Sequence, residues 1–394
     1  MNNSKKIYIV SPTESVLTKR GKRHPNLANF LSKQGEHVNY ITSTINHADK
    51  CLIPKNEILK AKKHLNYPIK FFSAGLYKTN ISLARVLWNY IFSFKVLLFL
   101  LLKANKNDII IIPSRPSELL FVGVLVKFFK KSKLFLDVED IWPDAFLIKN
   151  RVLKFLFYSY CNIINNCCLK YFDAGVHVSD NFEAWLKRYN VKYNSKLSVL
   201  GITEEENMPQ FLKTYPESCN KTEITFFYGG TLTLQFDLMP LLIALKNIDF
   251  KCKIILVGDN GTGNRCTQVN NFLRENNFNF KNLGNVSKSV LLKNLGDSDV
   301  AIIPMISGGL PKKFFDAIGC FKPILNIGKG GAFNEIEKKG LGWNTNFRTE
   351  DIEKILSNLT TKDIIAKIDN IKDNRQHFME RNSIEIIYKE LQKI

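Results

Sequence analysis

Several features are scarce or missing in this 394-residue sequence, and their absence narrows the class of protein. The eight cysteines are scattered and none belongs to paired C-x-x-C motifs, which argues against a structural zinc site and favours reduced thiols in a cytosolic protein. The N-terminal residues lack the apolar core of a signal peptide. The sequence has no internal repeat and no low-complexity tract. Its composition, with 45% hydrophobic and 23% charged residues, is that of an ordinary globular protein.

Acidic side chains are scarce in the first half of the chain. Residues 1–200 contain 31 basic and 13 acidic residues, a net charge of +18, whereas residues 201–394 carry only +2. A half of this kind favours a polyanionic partner, either an anionic lipid surface or nucleic acid. An AT-rich genome is the alternative explanation, but that bias would raise lysine in both halves. A nucleic-acid binder would use aromatic platforms among its basic residues and would share the positive charge, but it would not have the aliphatic excess seen here, as in residues 97–102. We therefore predict an anionic membrane surface as a partner, and no nucleic acid.

One apolar run, residues 82–102, is long enough to cross a membrane. It contains Arg85, Asn89 and Lys95, and charges in the middle of a span are costly. We expect a helix that packs against a sheet and also touches lipid. A true transmembrane span is the alternative.

Short apolar strands alternate with amphipathic helices, which predicts parallel sheets covered on both faces. The chain is too long for one core, and a polar stretch at 203–223 resembles a linker. We predict an α/β protein with two Rossmann-like, doubly wound domains at 1–200 and 201–375, and a last helix at 376–394 that returns to the first domain. Predicted strands are 7–10, 38–41, 69–72, 109–112, 134–136, 174–177, 197–200, 224–228, 253–257, 280–283, 300–303 and 323–326. Predicted helices are 25–34, 81–104, 116–130, 151–170, 180–190, 237–247, 264–275, 287–296, 311–319 and 331–338, with a helical tail at 351–394.

Glycines follow two predicted strands of the second half. Gly229, Gly230 and Thr231 follow the first, and Gly258 follows the next. Glycine at a strand end lets the backbone approach a phosphate closely. A tight turn into the next helix explains the same residues equally well.

A helix start follows the glycine loop at 308–309. Pro311 is followed by Lys312 and Lys313, and Asp316 lies about one helical turn further. A helix N-terminus with lysine suits a diphosphate, and a carboxylate one turn deeper can accept two ribose hydroxyls. The alternative is a surface Lys–Asp pair on the helix.

A basic loop follows the first strand. It contains Arg20 and Arg23, and it leads through His24 to Pro25, which suits the first turn of a helix. Free N–H groups at that helix start would attract an anion, so these residues are candidates for the acceptor or phosphate side. A solvated basic turn is the alternative.

Four segments together resemble glycosyltransferase family 4, which has the GT-B fold. Residues 179–186 are similar to the family's segment at the end of the first domain, and 283–304 to its strand-helix-strand stretch. Residues 311–323 resemble the variant found in capsule and O-antigen transferases, and 136–144 resemble the "vrDlWPe" segment of the same group. The match is spread over nearly the whole chain.

The resemblance implies roles for residues at matching positions. Lys313 should contact the nucleotide diphosphate and Asp316 the ribose. The family's signature is Glu, seven residues, Glu, whereas this chain has Gly308 and Asp316, and no basic residue follows the Gly229-Gly230 turn. We expect Lys312, or Arg20 and Arg23 from across a central cleft, to supply that charge.

Asp140 is the catalytic candidate on the acceptor side, because it follows a predicted strand in the segment 136–144. In an inverting enzyme it would act as general base, and in a retaining enzyme of this family it would orient donor or acceptor. An Asp that caps the following helix is the structural alternative.

The sequence and the resemblance together predict a glycosyltransferase for surface polysaccharides at the cytoplasmic face of the cell membrane. The donor would be a nucleotide-diphosphate sugar and the acceptor a polyprenyl-linked saccharide, with retaining transfer of a hexosyl or N-acetylhexosaminyl group. No metal is expected, because a helix dipole and lysines can stabilise the leaving diphosphate. A nucleotide-sugar epimerase of the same fold and a nucleic-acid-binding protein are the alternatives.

Overall fold

The computed structural model describes residues 5–18, 22–79, 82–146, 148, 150–212, 223–233, 235–258, 265–306 and 308–394. The chain divides into two compact units. Unit 1 comprises residues 1–198 and 384–394, and unit 2 comprises residues 199–383. The basic loop residue Arg20 of the sequence prediction lies outside the described residues.

Unit 1 is built around a parallel sheet in the strand order β5-β2-β1-β6-β7-β8-β9. A short antiparallel hairpin, β3–β4, lies outside this sheet. The strands are β1 (Lys6–Ser11), β2 (His37–Ser43), β3 (Ile45–Asn46), β4 (Cys51–Leu52), β5 (Ile69–Phe72), β6 (Ile109–Pro113), β7 (Lys133–Val138), β8 (Ala174–His177) and β9 (Lys196–Leu197). The central strands are continuous apolar runs, as expected where helices cover both faces of a sheet.

The helices of unit 1 pack on the two faces of its sheet. They are α1 (Arg23–Lys33), α2 (Lys55–His64), α3 (Leu83–Lys103), α4 (Glu118–Lys130), α5 (Arg151–Cys168), α6 (Phe182–Arg188) and the end of α14 (Glu380–Leu391). Helix α3 begins where the Ser82 hydroxyl accepts the Arg85 N–H at 3.2 Å. Ile384, Ile387 and Leu391 of α14 join the same core cluster as Leu27 of α1.

Unit 2 repeats the architecture with a parallel sheet in the order β12-β11-β10-β13-β14-β15. Its strands are β10 (Ile224–Gly229), β11 (Cys252–Val257), β12 (Asn279–Asn282), β13 (Val300–Pro304), β14 (Ile324–Ile327) and β15 (Gly342–Thr345). Its helices are α7 (Met239–Asn247), α8 (Arg265–Glu275), α9 (Lys288–Gly296), α10 (Lys312–Gly319), α11 (Ala332–Lys339), α12 (Thr349–Ser357) and α13 (Thr361–Asn374).

In both units the first strand lies beside the second on one side and beside the fourth strand of the sheet on the other. This is the doubly wound Rossmann order, and it confirms the predicted fold class of two parallel α/β domains. The sequence prediction missed α2, the β3–β4 hairpin and β15. Those elements are short or strongly polar, so their apolar periodicity is weak.

Candidate active site

Each sheet has a point where the chain order reverses, next to β1 in unit 1 and next to β10 in unit 2. In open α/β sheets ligands bind outside the carboxyl ends of the strands at such a point. The sequence-predicted site residues that the structure describes lie at these two edges.

The two glycine turns of unit 2 touch each other through their backbones. Gly230 follows β10 with φ 142° and donates its N–H to the Val257 carbonyl at 2.7 Å. Gly258 follows β11 with φ 147°, and a Cβ placed on it would lie 2.2 Å from the Gly230 carbonyl oxygen. Only glycine fits both the backbone angles and this spacing. The two strand ends of the sheet are therefore packed directly against each other at this edge.

Lys313 brings its ammonium group to the Gly230 turn. Its Nζ is 3.0 Å from the position that a Gly230 Cβ would occupy, and 3.4 Å from the Tyr228 hydroxyl. The ammonium also lies over the rings of Tyr228 and Phe236, at 4.4 and 4.0 Å from their centroids. Burial lowers the pKa of Lys313 to about 7, against the attraction of Asp316. An anion placed at this turn would favour the charged form of the lysine.

Asp316 is one turn further along α10 and is buried. The Lys288 ammonium, from the start of α9, lies 2.6 Å from its carboxylate. Burial raises the pKa of Asp316 above its ordinary value, while Lys288 opposes that rise. A carboxylate fixed in this way keeps a second oxygen that can accept hydroxyl donors.

The Lys312 ammonium forms an ion pair and a hydrogen bond within unit 2. Its Nζ lies 2.7 Å from Glu206 and donates to the Gly201 carbonyl at 2.8 Å. Glu206 also binds Lys288 at 3.1 Å. Burial alone would raise the Glu206 pKa, but the two lysines hold it below its ordinary value. In this structure Lys312 therefore anchors the start of α10 to the segment that opens unit 2.

The remaining residues predicted to bind the donor lie at the end of β10 and at the start of α10. Gly229 ends β10, and the Thr231 carbonyl accepts the Tyr228 hydroxyl at 2.9 Å. Pro311 is the N-cap residue of α10. Glu206 and Lys288 were missed by the sequence reasoning. Lys288 could have been found, because it starts the helix that follows β12.

Arg23 at the start of α1 is buried and forms a bidentate pair in unit 1. Its Nε and Nη2 donate to the Asp137 carboxylate at 2.8 and 3.0 Å, and Nη2 also donates to the Ser198 hydroxyl at 3.1 Å. The guanidinium lowers the pKa of Asp137 well below its usual range, although burial alone would raise it. Arg23 thus joins α1, β7 and the end of the first segment of unit 1.

His24 lies among three carboxylates and is 1% exposed. Its Nε2 is 3.3 Å from Asp137, and its Nδ1 is 3.5 Å from Glu14 and 3.6 Å from Glu139. Burial alone would lower the pKa of His24, but Glu139, Asp137 and Glu14 raise it to about 10. The imidazole is therefore charged at neutral pH and neutralises part of this acidic cluster.

Asp140 follows β7 at the same edge and is partly exposed. Its Oδ1 accepts the Ile141 N–H at 3.0 Å, and its carbonyl oxygen accepts the Ser114 hydroxyl at 2.6 Å. Burial raises the pKa of Asp140, and Arg115 opposes the rise. Residues 142–145 form a turn and not a helix. Asp140 therefore does not cap a helix that begins there, which was the structural alternative for this residue.

Arg115 was missed by the sequence reasoning, although it follows β6 next to β7. Its Nη2 lies 3.3 Å from Glu139, and its side chain is 35% exposed. Adjacent parallel strands bring their carboxyl ends together, and that rule alone would have paired Arg115 with the segment 137–140.

Within the described residues, one group of side chains has the spacing for a metal ion: Glu14, His24 and Glu139, whose ligand atoms lie within 4.8 Å of one another. A metal needs the neutral imidazole as its ligand. Here the three carboxylates stabilise the imidazolium instead, which supplies positive charge at the same place.

Helices α3, α4 and α5 of unit 1 expose many apolar side chains. Contacts join α3 to α4 and α4 to α5, and the Tyr90 hydroxyl of α3 donates to Tyr160 of α5 at 2.9 Å. We call the exposed apolar side chains of these helices the apolar helix surface: Leu83, Val86, Leu87, Tyr90, Phe94, Leu98, Leu102, Phe121, Phe128, Phe129, Val152, Leu153, Phe155, Leu156 and Ile163. Among the described residues, α3 is the one helix long and apolar enough to cross a membrane, and one third of it is buried. Length and composition alone do not separate a core helix from a membrane span.

Comparisons with known proteins agree with this architecture. Sucrose-phosphate synthase from Thermosynechococcus elongatus superposes with a TM-score of 0.72 at 14% identity, covering 99% of this chain and 98% of that one. HepE from Anabaena, in complex with UDP and glucose, gives 0.68 at 15% identity, covering 99% and 100%. The lipopolysaccharide outer core galactosyltransferase WaaB gives 0.64 at 14% identity, covering 98% and 99%. No protein-family model and no curated protein matches the sequence. The fold is that of the GT-B glycosyltransferases, as the family 4 resemblance implied.

Proposed function

We propose that this protein is a glycosyltransferase that moves a sugar from a nucleotide-diphosphate sugar to a lipid-linked saccharide in surface polysaccharide synthesis. The transferred group is a hexose or N-acetylhexosamine, and transfer retains the anomeric configuration. The acceptor is a polyprenyl-linked saccharide, reached from the cytoplasmic face of the membrane.

The observation that carries the proposal is the position of Lys313 on α10. A helix N-terminus, an ammonium group and a glycine turn meet at the switch point of the unit 2 sheet. Backbone N–H groups and a cation are what a diphosphate needs. Asp316, one turn deeper, has the chemistry to accept ribose hydroxyls.

The donor base is proposed from a structural neighbour. HepE is described in complex with UDP and with UDP-glucose, so uridine nucleotides are the first donors to test. No metal is required in this proposal. The leaving diphosphate is stabilised by Lys313 and the start of α10, which supply fixed positive charge where negative charge develops.

Asp140 is the proposed catalytic residue on the acceptor side. It lies at the carboxyl end of β7 beside Arg115, and burial raises its pKa. In a retaining transfer its carboxylate orients the acceptor hydroxyl by accepting a hydrogen bond from it. Arg23 and His24 hold β7 and α1 in place behind it through Asp137.

A membrane partner is proposed for unit 1. The apolar helix surface is interspersed with basic residues, as in Arg151 and Lys154 beside the exposed Val152, Leu153 and Phe155 of α5. Basic residues near anionic lipid contribute about 1 kcal/mol each, and inserted apolar side chains add to this. The net charge of +18 on residues 1–200 supports the same partner.

The test is turnover with a panel of nucleotide sugars, with and without a polyprenyl-linked saccharide acceptor. Release of the nucleotide diphosphate that depends on the acceptor, with a glycosylated product, is the expected result. An epimerase would instead convert the nucleotide sugar without releasing the nucleotide. Absence of either reaction across uridine, guanosine, adenosine and thymidine donors would reject the proposal.

A further inference from the structure

Lys288, the first residue of α9, lies where a cation is disfavoured. The dipole of a helix places partial positive charge at its N-terminus, so a lysine there costs stability unless nearby carboxylates offset it. The Ser287 hydroxyl accepts the Val290 N–H at 3.4 Å, so the start of the helix is capped without the lysine side chain. The local sequence thus gives no reason for a lysine at this position, and its partners come from other segments of unit 2.

Two carboxylates bind the Lys288 ammonium. Its Nζ lies 2.6 Å from Asp316 Oδ1 on α10, and 3.1 Å from Glu206 Oε1 in the segment that opens unit 2. The side chain of Lys288 is 28% exposed, whereas those of Glu206 and Asp316 are 6% and 11% exposed. Burial alone would lower the pKa of Lys288, but Asp316 and Glu206 raise it above its ordinary value. The lysine is therefore a fixed cation between two carboxylates.

Glu206 does not depend on Lys288 for its position. Its Oε2 accepts the Thr203 N–H at 3.1 Å, and the Lys312 ammonium lies 2.7 Å from the same oxygen. The other oxygen, Oε1, faces Lys288. One side of the Lys288 ammonium is thus bound by a carboxylate that two further groups hold, which keeps the ammonium beside Asp316.

Asp316 depends on Lys288 more than Glu206 does. Within the described part of the chain, the Lys288 ammonium is the one donor to the Asp316 carboxylate, and it binds Oδ1. Asp316 and Lys313 line the same small cavity, beside Gly229 and Leu291. Holding Oδ1 in place sets the direction of Oδ2, which has lone pairs for hydroxyl donors.

The charges around Asp316 indicate what the loss of Lys288 would do. Burial and the negative charge of Glu206 raise the pKa of Asp316, and Lys288 and Lys312 oppose that rise. Without Lys288, burial and Glu206 would favour the protonated carboxyl group. A protonated carboxyl group accepts hydrogen bonds more weakly than a carboxylate, so hydroxyl donors would lose most of their binding energy there.

We propose that Lys288 is a positioning residue for the donor: it holds Oδ1 of Asp316, so that Oδ2 accepts the ribose hydroxyls of the nucleotide. Lys288 acts through Asp316 and makes no contact with the nucleotide itself. That Asp316 receives a ribose rests on the proposed function, whereas the hold of Lys288 on Asp316 does not. Recognition of the ribose hydroxyls should then depend on a lysine that does not touch them.

The experiment is calorimetric titration of the full-length protein with UDP and with 2′,3′-dideoxy-UDP, which lacks both ribose hydroxyls. The ratio of the two affinities isolates the ribose contacts, because the diphosphate contributes equally to both. Charge-assisted hydrogen bonds should make the wild-type protein bind UDP about tenfold more tightly, or more. Lys288→Met and Asp316→Asn should each reduce this ratio to about threefold or less, and Lys288→Arg should retain most of it.

The pH dependence of the ratio distinguishes a positioning role from a structural one. In Lys288→Met the ratio should recover between about pH 7 and pH 9 as Asp316 loses its proton, whereas in the wild type it should stay level. Two further groups face Asp316 along α10. Burial lowers the pKa of Lys313 to about 7, but this lysine acts on both nucleotides alike, and burial raises the pKa of the Cys320 thiol to about 12, so it stays neutral. A ratio that stays low at every pH would indicate lost packing and would overturn the proposal.

Lys293→Met is the control, because Lys293 is an exposed lysine of the same helix. It should leave both affinities unchanged. Melting temperatures establish that each variant is folded, and Lys288→Gln takes the place of Lys288→Met if the latter is not. An unchanged ratio in a folded Lys288 variant would overturn the proposal. An equal loss of both affinities would also overturn it, because Lys288 would then act on the diphosphate.

Thermal unfolding without nucleotide separates this proposal from the proposed function. Once Lys288 is replaced, the folded protein binds the Asp316 proton more tightly than the unfolded chain does, so it loses stability as the pH rises. The melting temperature of Lys288→Met should therefore fall more between about pH 5.5 and pH 9 than that of Lys288→Met/Asp316→Asn.

Equal pH dependence of these two variants rejects the hold of Lys288 on Asp316, even if UDP binds normally. Absence of UDP binding in the wild-type protein, with the difference in melting present, rejects the uridine donor of the proposed function and supports the hold of Lys288 on Asp316.

Discussion

Lys313→Met is the substitution that most sharply separates a donor site from a surface ion pair. Methionine keeps the length and the apolar contacts with Tyr228 and Phe236, and it removes only the ammonium group. That group lies at the Gly230 turn, so a diphosphate bound there loses one charge-assisted hydrogen bond. Such a bond contributes about 1.5–3 kcal/mol. Since each 1.4 kcal/mol corresponds to a factor of ten, the expected loss of UDP affinity is roughly 10- to 150-fold.

Calorimetric titration with UDP measures this loss, and Lys312→Met is the matched control. Lys312 precedes Lys313 in the same helix, but its ammonium is bound by Glu206 and the Gly201 carbonyl. Its replacement should change UDP affinity by less than about threefold, which is about 0.7 kcal/mol. Equal effects of the two substitutions, or no effect of Lys313→Met in a folded protein, would refute the assignment of Lys313.

The pH dependence of binding gives a second, independent measurement on Lys313. Its pKa is about 7 in the unbound protein, so the ammonium is present below that pH and is lost above it. UDP affinity should therefore fall as pH rises from 6.5 to 9, and the fall should be shallower in Lys313→Met. The free energy of unfolding depends on pH in the opposite direction. The lysine of the unfolded chain stays protonated up to about pH 10.5, whereas burial disfavours the proton in the folded protein, so Lys313 destabilises the fold at lower pH. Lys313→Met should therefore not lower the melting temperature.

The remaining predictions concern both units. Asp140→Asn should reduce turnover at least a hundredfold with unchanged UDP affinity; a lower melting temperature with normal turnover per folded molecule would make Asp140 purely structural. Gly258→Ala should destabilise unit 2 by about 2–4 kcal/mol in urea unfolding, because φ is 147° and the Cβ would meet the Gly230 carbonyl; a loss under 1 kcal/mol contradicts that packing. The pKa of His24 is raised to about 10, so the stabilisation of the folded state by its protonated ring is complete below pH 6.5 and disappears towards pH 10. In His24→Asn the melting temperature should therefore depend less on pH over that range. In liposome flotation, binding should rise with anionic lipid and fall with salt. It should weaken in Phe155→Ser but not in Ile243→Ser, which changes an exposed apolar residue of unit 2. Flotation that lipid charge and salt leave unaffected would reject membrane docking.

The alternation of strands and helices could be predicted from the sequence because the central strands are continuous apolar runs. Strands such as Ile69–Phe72 and Ala174–His177 have the predicted bounds. Helix α2 was missed because Ile58 is its one buried residue, so its sequence has little apolar periodicity.

The site was harder to predict, because its contacts join residues far apart in the chain. The positions of Lys313 and Asp316 on one helix follow from local spacing, whereas the pairing of Lys288 with Asp316 and of Lys312 with Glu206 depends on how three segments pack. Arg23 and His24 illustrate the same limit. A basic loop suggested an anion site, but Asp137 and its neighbouring carboxylates bind both side chains inside unit 1.

We expect the nucleotide diphosphate of the donor to bind at the Gly230 turn. A crystal structure of the protein with UDP tests it most directly. We expect a diphosphate oxygen within about 3 Å of Lys313 Nζ, and ribose hydroxyls at the same distance from the Asp316 carboxylate. UDP bound at another place on the chain, with Lys313 and Asp316 making no contact to it, would contradict the account.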